Sequence, residues 1–362
     1  MTLRDVVSRT WRDNLLFSVL IELTYRCNLD CFFCYNDLAA RGKALRLDDY
    51  LRILDELAEL QVLDVTLSGG EPLAHPDFFA IGAAAKERGF VIRLKSNGHA
   101  LRGEVARRLR DEVDPFVVEV SLHGACASTH DRQTRVPGSF DRLLANLAEL
   151  KQLGLRVKIN STLTLWNETE VERMYTIADS LGMPLKFDPA VTPRDDGDET
   201  PLNVAPTAGG VRALYTTQFE RSRKLGERIL DPRRSAEDAD LVEVDGKHCG
   251  AGSAAVAIDP FGNVYPCVAW RVPVGNVHEQ SLGAIWSSSV ELDAVRAQVV
   301  GVRSALEKEG PVGNLMSFCP GLASRRTGRP DEVTPDMRER GQTLLDVMSE
   351  YSTVVTRVAG DD

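Results

Sequence analysis

The sequence predicts an α/β fold: six strand–helix units forming a partial (β/α)6 barrel, open on one side, followed by a small second unit and a closing helix. Two observations carry this. Between about residues 18 and 188, short β-branched runs alternate with amphipathic stretches, and after residue 240 the chain turns to Gly-rich short strands. Strand–helix alternation implies right-handed crossovers and a parallel sheet.

The elements follow in order. SVLIELT (18–24) is the first strand, and YLRILDELAEL (50–60) is the helix pattern after it. VLDVTLS (62–68) precedes DFFAIGAAAKERG (77–89); FVIRLKS (90–96) and FVVEVSL (116–122) are the third and fourth strands. SFDRLLANLAELKQLG (139–154) leads into RVKINSTL (156–163), and ETEVERMYTIADSLG (168–182) into PLKFDPA (184–190). Several of these helices end at Gly, which takes the left-handed conformation past a helix end. PRDDGDETPLNVAP (193–206) is polar and rich in breakers, hence a loop, with a helix expected at 209–225. In GSAAVAIDPFGNVYPCVAW (252–270), FGN resembles a hairpin turn. Residues 335–358 read as the closing helix. The division expected is an extension at 1–17, the barrel at 18–235, the second unit at 236–330 and a C-terminal helix at 331–362.

Composition narrows the class. No run of eighteen apolar residues occurs, so no membrane span is expected, and MTLRDVVSRTWRDNLLF lacks a signal-peptide core and cleavage site. A cytoplasmic protein is the expectation. A net charge of -10 argues against sequence-independent binding to nucleic acid. Seven cysteines, three of them within eight residues, do not suggest a disulfide framework; clustered thiols in a reducing compartment read as metal or iron–sulfur ligands.

TYRCNLDCFFCYN (24–36) places Cys27, Cys31 and Cys34 at spacing C-x3-C-x2-C directly after the first strand. A loop with this spacing can wrap a cubane, ligating three irons and leaving the fourth open to a chelating amine and carboxylate. The C-terminal ends of barrel strands are also where such folds keep their chemistry. The alternative is a structural zinc knuckle, but zinc sites usually close with four ligands, and no fourth Cys or His lies nearby.

With these residues the sequence resembles the radical S-adenosylmethionine (SAM) superfamily, and the likeness extends over roughly residues 18–325. Ser68-Gly69-Gly70-Glu71-Pro72 matches that family's GGEP motif, whose backbone and carboxylate groups bind the SAM amine. Ser96-Asn97-Gly98 matches its turn after the third strand, and Ser121-Leu122-His123-Gly124 a segment whose Ser contacts SAM. HDRQTRVPGSF (130–140) matches the stretch that follows in the peptide-modifying branch. The resemblance implies a [4Fe–4S] cluster on Cys27, Cys31 and Cys34, with SAM contacted by Gly69, Gly70, Glu71, Ser96, Asn97, Ser121, Asn160 and Asp188. Other readings remain: Glu71 as a helix-start carboxylate, and Ser121 and Asn97 as ordinary turn polarity.

Cys249, Cys267 and Cys319, in KHCGAG, VYPCVAW and FCPGLAS, resemble a shortened SPASM extension. The cysteines such an extension usually carries between positions 267 and 319 are absent. The resemblance implies one auxiliary [4Fe–4S] cluster with three Cys ligands, its fourth iron open or capped by His248, Asp245 or substrate. The other reading is three buried thiols without metal. Cys126, in HGACASTHD, is expected at the active-site mouth, either as a hydrogen-atom donor or as a small loop residue. Asp188 and Arg194 are candidates for SAM or peptide binding, whereas Asp195, Asp196 and Asp198 read as a solvated turn.

The implied chemistry is reductive SAM cleavage to a 5′-deoxyadenosyl radical that abstracts an unactivated hydrogen. The expected substrate is a precursor peptide, matured by crosslinking, excision or epimerisation. A small-metabolite dehydrogenase or epimerase, and an iron–sulfur electron-transfer protein without SAM chemistry, are the alternatives. Only some eighteen residues precede the first strand, too few for a winged-helix leader-binding domain, so a separate leader-binding protein is expected. A reductant such as flavodoxin or ferredoxin completes the partners.

Overall fold

The computed structural model describes residues 3–37, 39–225 and 246–358, with side chains from residue 5 to residue 351. The expected division between residues 235 and 236, and the candidate ligand Asp245, lie outside the described residues. Six parallel strands form the barrel: β1 (Ser18–Thr24), β2 (Asp64–Gly69), β3 (Val91–Ser96), β4 (Val117–Ser121), β5 (Val157–Thr162) and β6 (Leu185–Asp188). Each begins and ends within two residues of the expected strand.

The strands are two-faced. Ile21, Leu23, Val65, Leu67, Leu94, Val120 and Ile159 point outward into a core buried beneath the helices Leu47–Glu59, Phe78–Glu87 and Ser139–Gln152. Their sequence neighbours, which alternate to the other face, are polar: Ser68, Lys95, Glu119, Ser121, Lys158 and Asn160 all line one cleft. Parallel strands buried on both faces are near-continuously apolar. This lumen is instead built to hold polar ligands.

The second unit is stitched to the barrel. β7 (Ala255–Ile258) pairs parallel with β1, Ser18 opposite Ala255, and β8 (Asn263–Tyr265) and β9 (Gly275–Asn276) extend the sheet antiparallel. One nine-stranded sheet, in the order β6-β5-β4-β3-β2-β1-β7-β8-β9, therefore runs through both units. The β7–β8 turn is the expected hairpin, with Asp259 Oδ1 accepting from the Phe261 and Asn263 amides at 2.8 and 2.9 Å.

Beyond it the sequence reading missed four helices, Leu282–Ser288, Val290–Glu307, Pro311–Leu315 and Pro320–Thr327. Two carry signals that could have found them. Ser281 Oγ accepts from the Ala284 amide at 3.2 Å and Ser289 Oγ from the Leu292 amide at 3.1 Å, as helix-starting hydroxyls do. The closing helix spans Pro335–Val358 and packs Val347 and Met348 against Phe219 of the helix Ala208–Lys224.

Candidate active site

The loop after β1 is held on both sides. The Gly70 amide donates to Thr24 O at 2.7 Å and the Glu71 amide to Arg26 O at 2.9 Å, while Asp30 and Phe32 donate to the carbonyls of Thr134 and Gln133. Gly70 could not be otherwise: a Cβ there would lie 2.7 Å from both Arg26 O and Tyr25 O. Gly69 has φ +128°, a conformation closed to side chains, and a Cβ would collide with Thr24 O. Bare backbone thus reaches the cleft beside the thiols.

Cys27, Cys31 and Cys34 all line that cleft, whose volume is about 440 Å³. The Leu29 amide lies 3.4 Å and Asn97 Nδ2 3.7 Å from Cys27 Sγ. Burial pushes all three thiols above their ordinary pKa, and Cys31 is raised further by the negative charge its neighbours Cys34 and Cys27 would carry. A cation is what such thiolates need, and metal binding supplies it. Among the described residues no three Cys, His, Asp or Glu side chains converge to hold an ion. Tetrahedral zinc requires that convergence, whereas a cubane takes one thiolate per iron. The donor set fits a cluster.

Glu71 is turned into the interior at the start of the short helix Pro72–Ala74. Its carboxylate is 2% exposed and is not part of the cleft wall. Oε1 accepts from Ser96 Oγ at 2.9 Å and the Leu73 amide at 3.3 Å, and Oε2 from the Asn97 amide at 2.8 Å. Burial outweighs these bonds and pushes its pKa up to about 7. Two turns leave amides without partners in the interior, and Glu71 satisfies both. It shapes the Ser96–Asn97 turn from beneath, and Gly69 and Gly70 are the part of the motif lining the cleft.

Ser96, Asn97, Ser121, Asn160 and Asp188 line the same cleft. Register explains the convergence: Ser121 stands opposite Asn160 and Thr162 opposite Asp188 at the strand ends. Sequence reasoning missed the charges below them. Glu119 lies between Lys95 (3.8 Å) and Lys158 (3.9 Å) and accepts from Asn160 Nδ2 at 2.7 Å; Lys186 lies in the same wall. The signal was present as a period of two in RLKS, VEVS, KINST and KFD. His123 is also in the wall, packed edge-on to Phe33 of the thiol loop, and burial pushes its pKa down to about 3.

Cys126 does not line the cleft: it begins the helix Ala127–Thr134, and its thiol is 3.1 Å from Ser128 Oγ and 3.4 Å from Glu170 Oε1. At Gly124 the backbone passes close to the next helix: a Cβ there would lie 2.7 Å from the His130 amide nitrogen. Asp195 is no solvated residue: its side chain is 9% exposed and paired with Arg271 at 2.9 Å and Arg325 at 2.8 Å. Arg194, outside the cleft wall, sits 3.7 Å from Asp198.

Cys249, Cys267 and Cys319 come together from three segments. Cys249 and Cys267 pack against Ala251, Trp270, Val295 and Val299. Burial, then the charges of Cys267 and Cys319, push the Cys249 thiol up to about 12. The His248 ring nitrogen Nε2 is 3.1 Å from Phe318 O, so this candidate ligand is engaged with backbone.

Comparison with known proteins agrees with this geometry. Residues 21–178 match the family model of the radical SAM superfamily, and residues 249–311 match SPASM, an iron–sulfur cluster-binding domain. The chain is 31% identical to the AdoMet-dependent heme synthase of Methanosarcina barkeri over 284 residues, 74% of this chain and 81% of that protein. It is 30% identical to the PqqA peptide cyclase of Ruegeria pomeroyi over 292 residues, covering 77% and 76%. In fold it resembles Streptococcus suis SuiB bound to precursor peptide SuiA, with TM-score 0.65, 16% identity, and coverage of 81% and 69%.

Proposed function

The chain belongs to the radical SAM superfamily, and from that premise we propose that it matures a ribosomally made precursor peptide, by crosslinking, excision or epimerisation. It is a radical SAM enzyme that uses a [4Fe–4S] cluster and SAM, with an auxiliary iron–sulfur cluster in its C-terminal unit. When bound, that cluster and SAM supply a 5′-deoxyadenosyl radical able to take hydrogen from an unactivated C–H bond.

In this reading the chain's own residues bind and orient. Cys27, Cys31 and Cys34 ligate the first cluster, and Cys249, Cys267 and Cys319 the auxiliary [4Fe–4S] cluster. Gly69 and Gly70 offer backbone to SAM, Ser96 and Asn97 are set in place by Glu71, and Ser121, Asn160 and Asp188 close the wall. The single observation that carries the reading is that three thiols and the ends of five strands, β2 to β6, line one polar cleft. The peptide substrate is supported by the relative named PqqA peptide cyclase. A small metabolite is the second reading, favoured by the heme synthase relative. A flavodoxin or ferredoxin reductant, a separate leader-binding protein and a cytoplasmic setting complete the proposal.

The test is anaerobic reconstitution with iron and sulfide, then dithionite and SAM. Formation of 5′-deoxyadenosine is expected. A peptide encoded beside this gene should then change mass on incubation; an unchanged peptide alongside a converted metabolite would favour the second reading.

A further inference from the structure

Four charged side chains form a continuous buried chain between the two thiol groups. Arg271 donates from Nη1 to Glu22 Oε2 at 2.9 Å and from Nη2 to Oε1 at 2.8 Å. Its Nε stands 2.9 Å from Asp195 Oδ2, and Asp195 Oδ1 stands 2.8 Å from Arg325 Nη2. Side-chain exposure is 0% for Glu22, 10% for Arg271 and 15% for Arg325. The two acids and two bases cancel in charge.

Every member comes from a segment that carries or touches a cysteine. Glu22 lies on β1 ahead of Cys27, Arg271 follows Cys267, and Arg325 is on the helix that begins after Cys319. The Asp195 amide donates to Tyr35 O at 2.7 Å, next to Cys34. Tyr25, of the first thiol loop, donates its hydroxyl to Glu22 Oε2 at 3.0 Å. Arg325 also reaches the Pro193 carbonyl at 3.2 Å.

Buried ion chains are a weak source of stability, because desolvating the charges offsets their attraction; their best-attested use is to fix register. A guanidinium fork donates to a carboxylate in one planar arrangement, which suits it to that use. Arg325 Nη2 also lies 3.4 Å from the Ala269 carbonyl, two residues beyond Cys267, and Asp195 adjoins that guanidinium, so both charges stand beside the second thiol group. We propose that Glu22, Arg271, Asp195 and Arg325 form a positioning relay that holds the second thiol group in register with the first and sets the reduction potential of the auxiliary cluster. The inference rests on the two-cluster reading and is independent of the peptide substrate.

The experiment uses the reconstituted full chain and needs no substrate. Reduction adds negative charge to a cluster, so removing the Asp195 charge should raise its potential and removing the Arg325 charge should lower it. In EPR-monitored redox titrations, Asp195→Asn and Arg325→Gln should shift the auxiliary cluster in opposite directions. Each shift should be about tenfold in the one-electron equilibrium, or about 59 mV, with iron and sulfide content unchanged. General loosening of the fold would move both variants the same way, so any pattern but opposite shifts overturns the relay. The double substitution Glu22→Gln with Arg271→Met removes a pair without stranding a charge. It should keep its iron yet change the EPR line shape of the auxiliary cluster, whose three ligands it no longer holds in register; an unchanged line shape overturns the positioning role. A wild-type iron count of one cluster would sink the two-cluster reading, whereas two clusters without opposite shifts sinks the relay alone.

Discussion

The two thiol groups solve one problem in opposite ways. Cys27, Cys31 and Cys34 lie within eight residues, on a loop pinned to its neighbours by backbone hydrogen bonds. Cys249, Cys267 and Cys319 are spread over some seventy residues and meet only because β7 joins β1 and the helix Pro320–Thr327 returns against Trp270. The first group is a local property of the chain and the second a property of the fold. A local site should therefore survive damage to the distant one, while the distant one depends on everything that connects them.

The strongest way to break that comparison is at the first group. Cys27→Ala, Cys31→Ala and Cys34→Ala together should abolish SAM cleavage, read as 5′-deoxyadenosine released with dithionite. Replacing Cys249, Cys267 and Cys319 instead should remove about four irons per chain and all product, yet leave uncoupled SAM cleavage measurable. Full activity in that variant would show that the second group holds no working cluster.

Smaller changes sharpen it. Gly69→Ala forces a side chain into a backbone conformation that excludes it, beside Thr24 O, at a cost of about 1–3 kcal/mol. SAM affinity, read by calorimetry, should fall far more than iron content. Next comes pH. His123 and His130 are buried and neutral, with pKa pushed down to about 3 and about 4 from 6.5. An unfolded chain protonates them first, so their contribution is complete above pH 6.5 and lost as pH falls towards 4 and 3, at roughly 1.4 kcal/mol per pKa unit for each ring. Denaturant titrations from pH 7 to 4 should show that slope, and His130→Gln should flatten it. Smallest is Cys126→Ala. With its thiol outside the cleft wall, product should be unchanged, and a lost or altered product would return it to the site.

Much of this was legible in the chain. The strands announce themselves through β-branched runs, and the thiol loop, the Gly69–Gly70 turn and the Ser96–Asn97 turn each sit where a strand ends, because these motifs act through nearby backbone. Asp195 was not legible. In PRDDGDET it looks like any acidic turn residue, and only the arrival of Arg271 and Arg325 from more than seventy residues away gives it buried partners. Glu71 was half legible: its motif pointed to the site, but which way the carboxylate turns depended on amides of two other turns.

The sequence by itself determined the strand–helix alternation, the first thiol group and the kind of chemistry it supports. Those depend on spacing along the chain and on short-range hydrogen bonds. Tertiary structure alone decided that one sheet runs through both units, that the lumen is charged, that Cys126 lies off the cleft, and that an ion chain links the two thiol groups. The physical reason is that burial and ion pairing are set by which surfaces meet, and surfaces distant in sequence meet only after the sheet has closed.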